Sequence, residues 1–228
     1  MRALARWLPA LTAASALLAI AGSNWAVDQR ALLFVFKPLT TLLILWHAWP
    51  RGRDTPAARR FVLAGLWLSL IGDVALLWPQ QGFVPGLVAF LVAHLLYIVA
   101  FTREQRFAAQ PAALAAYALI AGTVLAFLWG HIPAGLRIPV AGYVLALTAM
   151  AAQAAVVGLL ARGDDRSRAR GLMIGGALFM ASDTALAVNR FALPVPVAGL
   201  WILASYWAAQ WLIASWLKPG PSTPATSP

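Results

Sequence analysis

The sequence contains no cysteine among its 228 residues, and only 7 residues are acidic. Disulfide bonds and thiolate chemistry are therefore excluded. The chain also lacks an H-E-x-x-H zinc motif, a G-x-S-x-G nucleophile elbow and a phosphate-binding Walker loop. These absences argue against the familiar metalloproteases, serine hydrolases and nucleotide-dependent enzymes.

Hydrophobic residues, in contrast, make up 62% of the chain, and the mean hydropathy is +0.78. A soluble domain of this length would not be solvated with that composition. Backbone groups in lipid must bond within their own segment, so apolar runs long enough to cross ~30 Å of hydrocarbon predict helices. Eight such runs separate cleanly, at 7–23, 31–49, 60–78, 83–101, 112–129, 138–161, 171–189 and 197–217.

These runs predict an all-α, polytopic membrane helix bundle with eight transmembrane helices, in a single transmembrane domain over residues 1–217. Residues 218–228 are rich in Pro, Ser and Thr and are predicted to form a disordered tail. The first run has a second interpretation, because Arg2 and Arg6 followed by Leu8 to Ile20 also resemble a secretory signal. We favour a retained first helix.

Lys and Arg are distributed unevenly between the two sides of the predicted bundle. One side carries 13 of them: Arg2, Arg6, Arg51, Arg53, Arg59, Arg60, Arg103, Arg106, Arg162, Arg166, Arg168, Arg170 and Lys218. The other side carries Arg30, Arg137 and Arg190. Cytoplasmic loops are the ones enriched in Lys and Arg. We therefore expect an integral protein of the plasma (inner) membrane with both termini cytoplasmic.

The net charge of the chain is +10, and the basic residues responsible for it lie in short loops and form no single patch. This distribution is typical of topology signals and argues against a nucleic-acid partner. Membrane lipids are the expected surroundings, and the sequence indicates no oligomeric state.

Asp73 and Asp183 are the only acidic residues that fall within the apolar runs. An ionisable side chain in the membrane is costly and usually functional. A register of 110 residues aligns Asp73, Ala75 and Leu76 with Asp183, Ala185 and Leu186. A parallel internal repeat of four plus four helices would produce this register, although two apolar helices with one Asp each can also look alike by chance.

Lys37 completes a set of three ionisable side chains at one predicted depth. At ~1.5 Å of rise per residue, Lys37, Asp73 and Asp183 all lie about 8–11 Å inside the same boundary. Their common depth predicts a shared polar pocket. Two simpler interpretations stay open, namely a Lys–Asp pair that joins two helices and a Lys37 side chain that extends to the interface.

Further polar side chains occur on the neighbouring helices and are candidates for binding substrate or tuning the two acids. His94 and Tyr97 share a helix face, as do Tyr206 and Gln210. A single polar residue of this kind more often makes an interhelical hydrogen bond than binds a ligand. The full set is Lys37, His94, Tyr97, Tyr143, Ser182, Asn189, Tyr206 and Gln210.

A metal site would need about three protein ligands. Asp73, Asp183 and His94 could only just supply them, so no metal and no other cofactor is expected.

Several of these residues stand in motifs that resemble the YhhN/TMEM86 family of lysoplasmalogenase-like membrane proteins. The resemblance covers about residues 30 to 215. The motifs are Lys37-Pro-Leu-Thr40, Ser69-Leu-Ile-Gly-Asp73-Val-Ala-Leu76, Phe90-Leu-Val-Ala-His94-Leu-Leu-Tyr97, Gly176 to Phe191, and Tyr206 with Gln210. The resemblance implies eight helices, a lysophospholipid substrate, and hydrolysis of the vinyl ether bond of lysoplasmalogen to a fatty aldehyde and a glycerophospho-base.

Two intramembrane carboxyl groups suit this reaction. Protonation of the terminal alkene carbon gives an oxocarbenium ion, which water captures, so one acid and one carboxylate are needed. Asp73 and Asp183 are the predicted catalytic pair, and Lys37 is expected to separate their roles by its distance from each. The residues do not show which Asp takes which role.

Two other functions are compatible with the same residues. A membrane lipid-binding or transport protein would also use an intramembrane Lys/Asp pocket. A packing or assembly protein would use the two acids only as structural groups.

Overall fold

The computed structural model describes residues 2–24 and 30–220. This part of the chain forms eight α-helices, as predicted, and most bounds fall within two or three residues of the predicted ones. The helices are α1 (Arg2–Asn24), α2 (Arg30–Ala48), α3 (Pro56–Ala75), α4 (Phe83–Thr102), α5 (Pro111–Leu128), α6 (Arg137–Leu160), α7 (Arg166–Ala187) and α8 (Ala198–Trp216).

The first turns of α3 and α7 extend beyond the apolar runs. α3 begins at Pro56, and proline is favoured in a first turn because its missing N–H has no intrahelical partner there. α7 begins at Arg166, so its first turn includes charged residues that lie before the apolar run. Its far end continues into a π-helical turn, Val188–Ala192.

Five of the described helical segments are long and apolar enough to cross a membrane, and the chain is an integral membrane protein. They are Arg30–Ala48, Phe83–Thr102, Pro111–Leu128, Ala134–Leu160 and Gly163–Ala192. The predicted disordered tail lies largely outside the described residues, which end at Gly220. The single domain over 1–217, the retained first helix and the internal repeat stay predictions.

Most helices that follow one another in the chain pack side by side, although α4 and α5 make little contact, and α8 closes the bundle against α1, α2 and α7. α4 also packs on α6. α5 is the outlier, because it packs mainly on α6 and buries only Ala113, Ala121 and Leu128. Its Leu119 is 73% exposed. One side of α5 therefore faces the surrounding lipid.

Two glycines bring α3 close to α4. A Cβ atom on Gly65 would lie 2.4 Å from the Tyr97 ring, and one on Gly72 would lie 2.5 Å from the Phe90 ring. Any larger side chain would push the two helices apart. This contact holds the neighbour of Gly72, Asp73, deep inside the bundle.

The basic loops meet at one end of the bundle, which we call the Arg-rich end and define by Arg51, Arg106, Arg168 and Lys218. There Gly52 N–H donates to the carbonyl of Lys218 at 2.8 Å, and Gln153 Nε2 donates to the carbonyl of Gln105 at 2.9 Å. Lys218 Nζ also lies 3.2 Å from Asp165 Oδ2.

The opposite, Arg-poor end is defined by Trp78, Trp129, Arg137 and Arg190. There the Phe34 and Trp78 rings meet edge to face at 5.3 Å, and the Arg137 guanidinium lies 5.6 Å from the Trp129 ring centroid. The separation of the two ends agrees with the alternation of charge in the sequence. The side of the membrane that each end faces stays a prediction.

Candidate active site

Asp73, on α3, is 1% exposed and lies at the meeting point of three helices. Thr41 Oγ1 and Tyr206 OH donate hydrogen bonds to its Oδ2 atom at 2.6 and 2.8 Å. Lys37 Nζ lies 3.7 Å from its Oδ1 atom. Lys37 and Thr41 are one helical turn apart on α2 and so share a face. The Lys–Asp pair, one of the two simpler interpretations of the sequence, is therefore present, and hydrogen bonds satisfy the carboxylate as a buried ion pair requires.

A second layer of polar groups holds Tyr206 in place. Gln210 Nε2 donates to the Tyr206 hydroxyl at 3.3 Å, and Tyr97 OH donates to Gln210 Oε1 at 2.8 Å. Trp207 Nε1 donates to Thr41 Oγ1 at 3.2 Å. Four of the residues singled out in the sequence, Lys37, Tyr97, Tyr206 and Gln210, thus belong to one network with Asp73.

Asp183, on α7, has different surroundings. Its Oδ2 atom accepts a hydrogen bond from the hydroxyl of Tyr143, on α6. Among residues 2–24 and 30–220, no Lys, Arg or His nitrogen lies within 4.0 Å of its carboxylate. The side chain is half-buried.

Asp183 and Tyr143 lie in the wall of an apolar cavity between α4, α5, α6 and α7. The cavity has an empty volume of about 790 Å³, which includes space open to the surroundings. Its lining is almost entirely aliphatic and aromatic, and it includes Phe83, Phe90, Leu125, Val144, Met180 and Phe191. Such a lining suits an alkyl chain.

A series of ring contacts connects the two acids. The Tyr206 ring lies 5.5 Å from Phe179, Phe179 lies 4.7 Å from His94, and His94 lies 5.2 Å from Tyr143, all measured between ring centroids. His94 is 0% exposed, and neither of its ring nitrogens has a hydrogen-bond partner among the described residues. Buried polar groups are nearly always hydrogen-bonded, so this imidazole is an exception among the buried side chains.

The hydrogen bonds of Ser182 and Asn189 are made to main-chain groups and not to either acid. Ser182 Oγ donates to the carbonyl of Ile202 at 2.9 Å, and Asn189 Oδ1 accepts from the Val195 N–H at 3.0 Å. Both side chains hold main chain in place rather than contact either carboxylate. Their predicted role in binding substrate is not tested by these bonds.

Thr41 and Phe179 belong to these clusters but are not among the predicted site residues. Helical spacing offered a signal for both, since Thr41 is one turn after Lys37 and Phe179 is one turn before Asp183. Within the described part of the chain, no group of three or more His, Asp or Glu side chains is placed to hold a metal ion.

Eight helices around a buried Lys–Asp pair, with a second acid on an apolar cavity, define a polytopic helical membrane protein with a polar site inside the bundle. The sequence model of the YhhN family matches residues 32–217, and the chain belongs to this family.

Curated relatives carry one activity in their names. The chain is 38% identical to "Lysoplasmalogenase TMEM86B" of Homo sapiens over 169 residues, which are 74% of this chain and 66% of that protein. It is 34% identical to "Lysoplasmalogenase TMEM86B" of Sus scrofa over 81% of this chain and 74% of that protein. It is 37% identical to the "Lysoplasmalogenase" of Mycobacterium tuberculosis over 74% of this chain and 62% of that protein. No solved structure matches the chain.

Proposed function

We propose that this protein is a membrane-embedded lysoplasmalogenase, which hydrolyses the vinyl ether bond of lysoplasmalogen to a fatty aldehyde and a glycerophospho-base. Membership of the YhhN family and the names of the curated relatives support this function. The observation that carries it is the position of Asp183, whose carboxyl group lies in the wall of an otherwise apolar cavity. An alkenyl chain in that cavity would present its double bond to a proton donor.

The reaction needs no redox partner. A carboxylic acid gives a proton to the alkene carbon that is not bonded to oxygen, and the other carbon becomes part of an oxocarbenium ion. Water adds to that carbon and loses a proton, which restores the acid and leaves a hemiacetal. The hemiacetal then breaks its bond to the glycerol oxygen, and that oxygen takes up the hydroxyl proton.

The geometry suggests separate roles for the two acids. Asp183 faces the cavity and has only a hydroxyl group bonded to it, so we assign the proton donation to Asp183. Asp73 is bound by one ammonium and two hydroxyl groups, which suits a carboxylate that stays ionised and balances the developing positive charge. We assign the bonding of the incoming water to His94, whose ring lies between Phe179 and Tyr143 and whose nitrogens have no partner among the described residues.

The direct test is aldehyde release from lysoplasmalogen by the purified protein in detergent. The 1-acyl lysolipid should stay intact, because an ester is not cleaved by protonation of an alkene carbon. Asp183→Asn should remove turnover, since loss of a general acid costs about 10²–10⁴-fold. Asp73→Asn should also remove it, because the carboxylate that balances the developing positive charge is lost. Asp165→Asn, at the Arg-rich end, is the matched control and should keep the wild-type rate. Aldehyde release that survives in both site variants would contradict the mechanism.

The cavity also supports a second candidate, a membrane lipid-binding or transport protein. Wild-type protein that binds ether lysolipids but releases no aldehyde from any vinyl ether lipid would favour this function. Wild-type protein that neither binds nor cleaves them would leave the two acids as structural groups.

A further inference from the structure

Arg190 lies at the rim of the cavity, and neither acid cluster involves it. Its guanidinium carbon is 4.5 Å from the ring centroid of Phe83, a residue that lines the cavity. The ring of Phe191, also in the lining, meets Phe83 edge to face at 5.7 Å. Arg190 is exposed, and no carboxylate of the described residues lies within 4.0 Å of it. The rim therefore carries a cation that has no ion-pair partner in this part of the chain.

The backbone holds Arg190 in this position. It stands in the π-helical turn Val188–Ala192, which re-aims side chains relative to the preceding α-helix. This turn puts Arg190 over Phe83 while its neighbour Phe191 lines the cavity. The bond from Val195 N–H to Asn189 Oδ1 ties down the chain that follows. The arginine is thus presented by a defined turn rather than by a loose loop.

The separation of Arg190 from Asp183 matches the substrate. Seven residues at ~1.5 Å of rise put their Cα atoms about 10 Å apart along the helix axis. In a lysoplasmalogen, about seven bonds separate the alkene carbon that is protonated from the phosphorus atom. An extended chain of that length spans roughly 9 Å at ordinary bond lengths. A lipid with its double bond at Asp183 would therefore place its phosphate beside Arg190.

We propose that Arg190 binds the phosphate of the lysophospholipid substrate and so selects phospholipids over neutral ether lipids. This inference rests on the proposed hydrolase function. A guanidinium group binds phosphate through two parallel N–H bonds, and its contact with the Phe83 ring restrains it at the rim of the cavity. Arg190 binds the substrate and takes no part in bond cleavage, since the reacting double bond lies at Asp183, about 10 Å away along the helix axis.

Arg137 provides a matched control at the same end of the bundle. It also stacks on an aromatic ring, Trp129, but its Nε donates to the carbonyl of Ile132 at 3.3 Å. Arg137→Gln thus removes one positive charge and one ring contact from the Arg-poor end without removing Arg190.

The test compares two substrates, lysoplasmalogen and 1-O-alk-1-enylglycerol, which lacks the phosphate. Arg190→Gln should lower kcat/KM for lysoplasmalogen about tenfold or more, mainly through KM, because a charged hydrogen-bond donor is lost. It should leave kcat/KM for the neutral ether close to that of the wild type. Arg190→Lys should restore part of the loss, and Arg137→Gln should affect neither substrate. An equal loss on both substrates, or no loss on either, would overturn the proposal.

Binding measurements keep this proposal separate from the hydrolase function. A 1-O-alkyl lysophospholipid and a 1-O-alkylglycerol have no vinyl ether bond, so both serve as ligands that are not cleaved. Titration calorimetry should show tighter binding of the phosphate-bearing ether to the wild type, and Arg190→Gln should abolish the difference. If the wild type cleaves neither vinyl ether, the hydrolase proposal fails, and this binding difference still decides the role of Arg190. Equal binding of both ligands by the wild type would refute it.

Discussion

The hydroxyl of Tyr206 donates a hydrogen bond to Oδ2 of Asp73 at 2.8 Å, and this bond joins α8 to α3 in the middle of the bundle. The same hydroxyl accepts a bond from Gln210, so one oxygen atom connects the acid to a second polar group of α8. Tyr206 therefore fixes the orientation of the carboxylate and the spacing of two helices at once.

Tyr206→Phe should lower both thermal stability and turnover. Loss of a hydrogen bond to a charged group costs about 1.5–3 kcal/mol, and Gln210 Nε2 loses its acceptor as well. Thermal unfolding in detergent and the rate of aldehyde release measure the two effects. Tyr117→Phe is the control, because the Tyr117 hydroxyl makes no hydrogen bond within the described residues. Wild-type behaviour in both assays would show that this bond is dispensable.

Lys37→Met should be strongly destabilising when made alone. Removing one partner of a buried ion pair leaves the other unpaired and costs about 3–5 kcal/mol. The double variant Lys37→Met/Asp73→Asn should lose less free energy of unfolding than the two single variants lose together, since no uncompensated charge remains in it. A double-mutant cycle on thermal unfolding measures the coupling. Strictly additive effects would mean that the pair contributes no coupling energy.

Gly72→Ala should destabilise the bundle and narrow the cavity. The added Cβ would lie 2.5 Å from the Phe90 ring, and Phe90 lines the cavity. Overpacking of this kind costs about 1–3 kcal/mol. We expect a lower unfolding temperature and slower turnover of long-chain substrates. Gly142→Ala, in α6, is the control because nothing lies within 4 Å of its added Cβ. If Gly72→Ala and Gly142→Ala have the same unfolding temperature and the same turnover, the close contact between Gly72 and Phe90 does not constrain the side chain at position 72.

The charge distribution makes a prediction about topology. Reporter fusions after Gln81 and after Gly163 should report opposite sides of the membrane, with Gly163 cytoplasmic because it lies in an Arg-rich loop. Fusions after Lys218 should agree with Gly163. If Gln81 and Gly163 report the same side, the number of membrane crossings between them is even rather than odd.

Composition and hydropathy were sufficient to predict the eight helices and their approximate bounds, because lipid leaves an apolar backbone segment no other structure. The common depth of Lys37, Asp73 and Asp183 predicted a pocket shared by all three, and a Lys–Asp pair was one of the alternatives left open. The helices depend on local sequence alone, whereas the pairing of side chains also depends on the rotation of each helix about its axis.

The surroundings of Asp183 could not be predicted from the sequence. Its bond from Tyr143 and its place in a cavity depend on which faces of α4, α5, α6 and α7 meet, and depth does not determine rotation about a helix axis. The π-helical turn that presents Arg190 carries no composition signal either. Asp73 pairs with a lysine whereas Asp183 bonds a tyrosine, so the similar segments around them have different partners, and the internal repeat stays a prediction.

The exposed side of α5 has a consequence for kinetics. α5 packs mainly on α6, and the cavity that it helps to line lies against Asp183, so we expect a lipid to enter the cavity sideways from the bilayer. An enzyme supplied in this way responds to the mole fraction of substrate in the membrane, and adding inert phospholipid at constant bulk concentration should slow it. The long-chain aldehyde would return to the bilayer by the same path, whereas the water-soluble glycerophospho-base would depart into the aqueous phase, so the two products separate as they form.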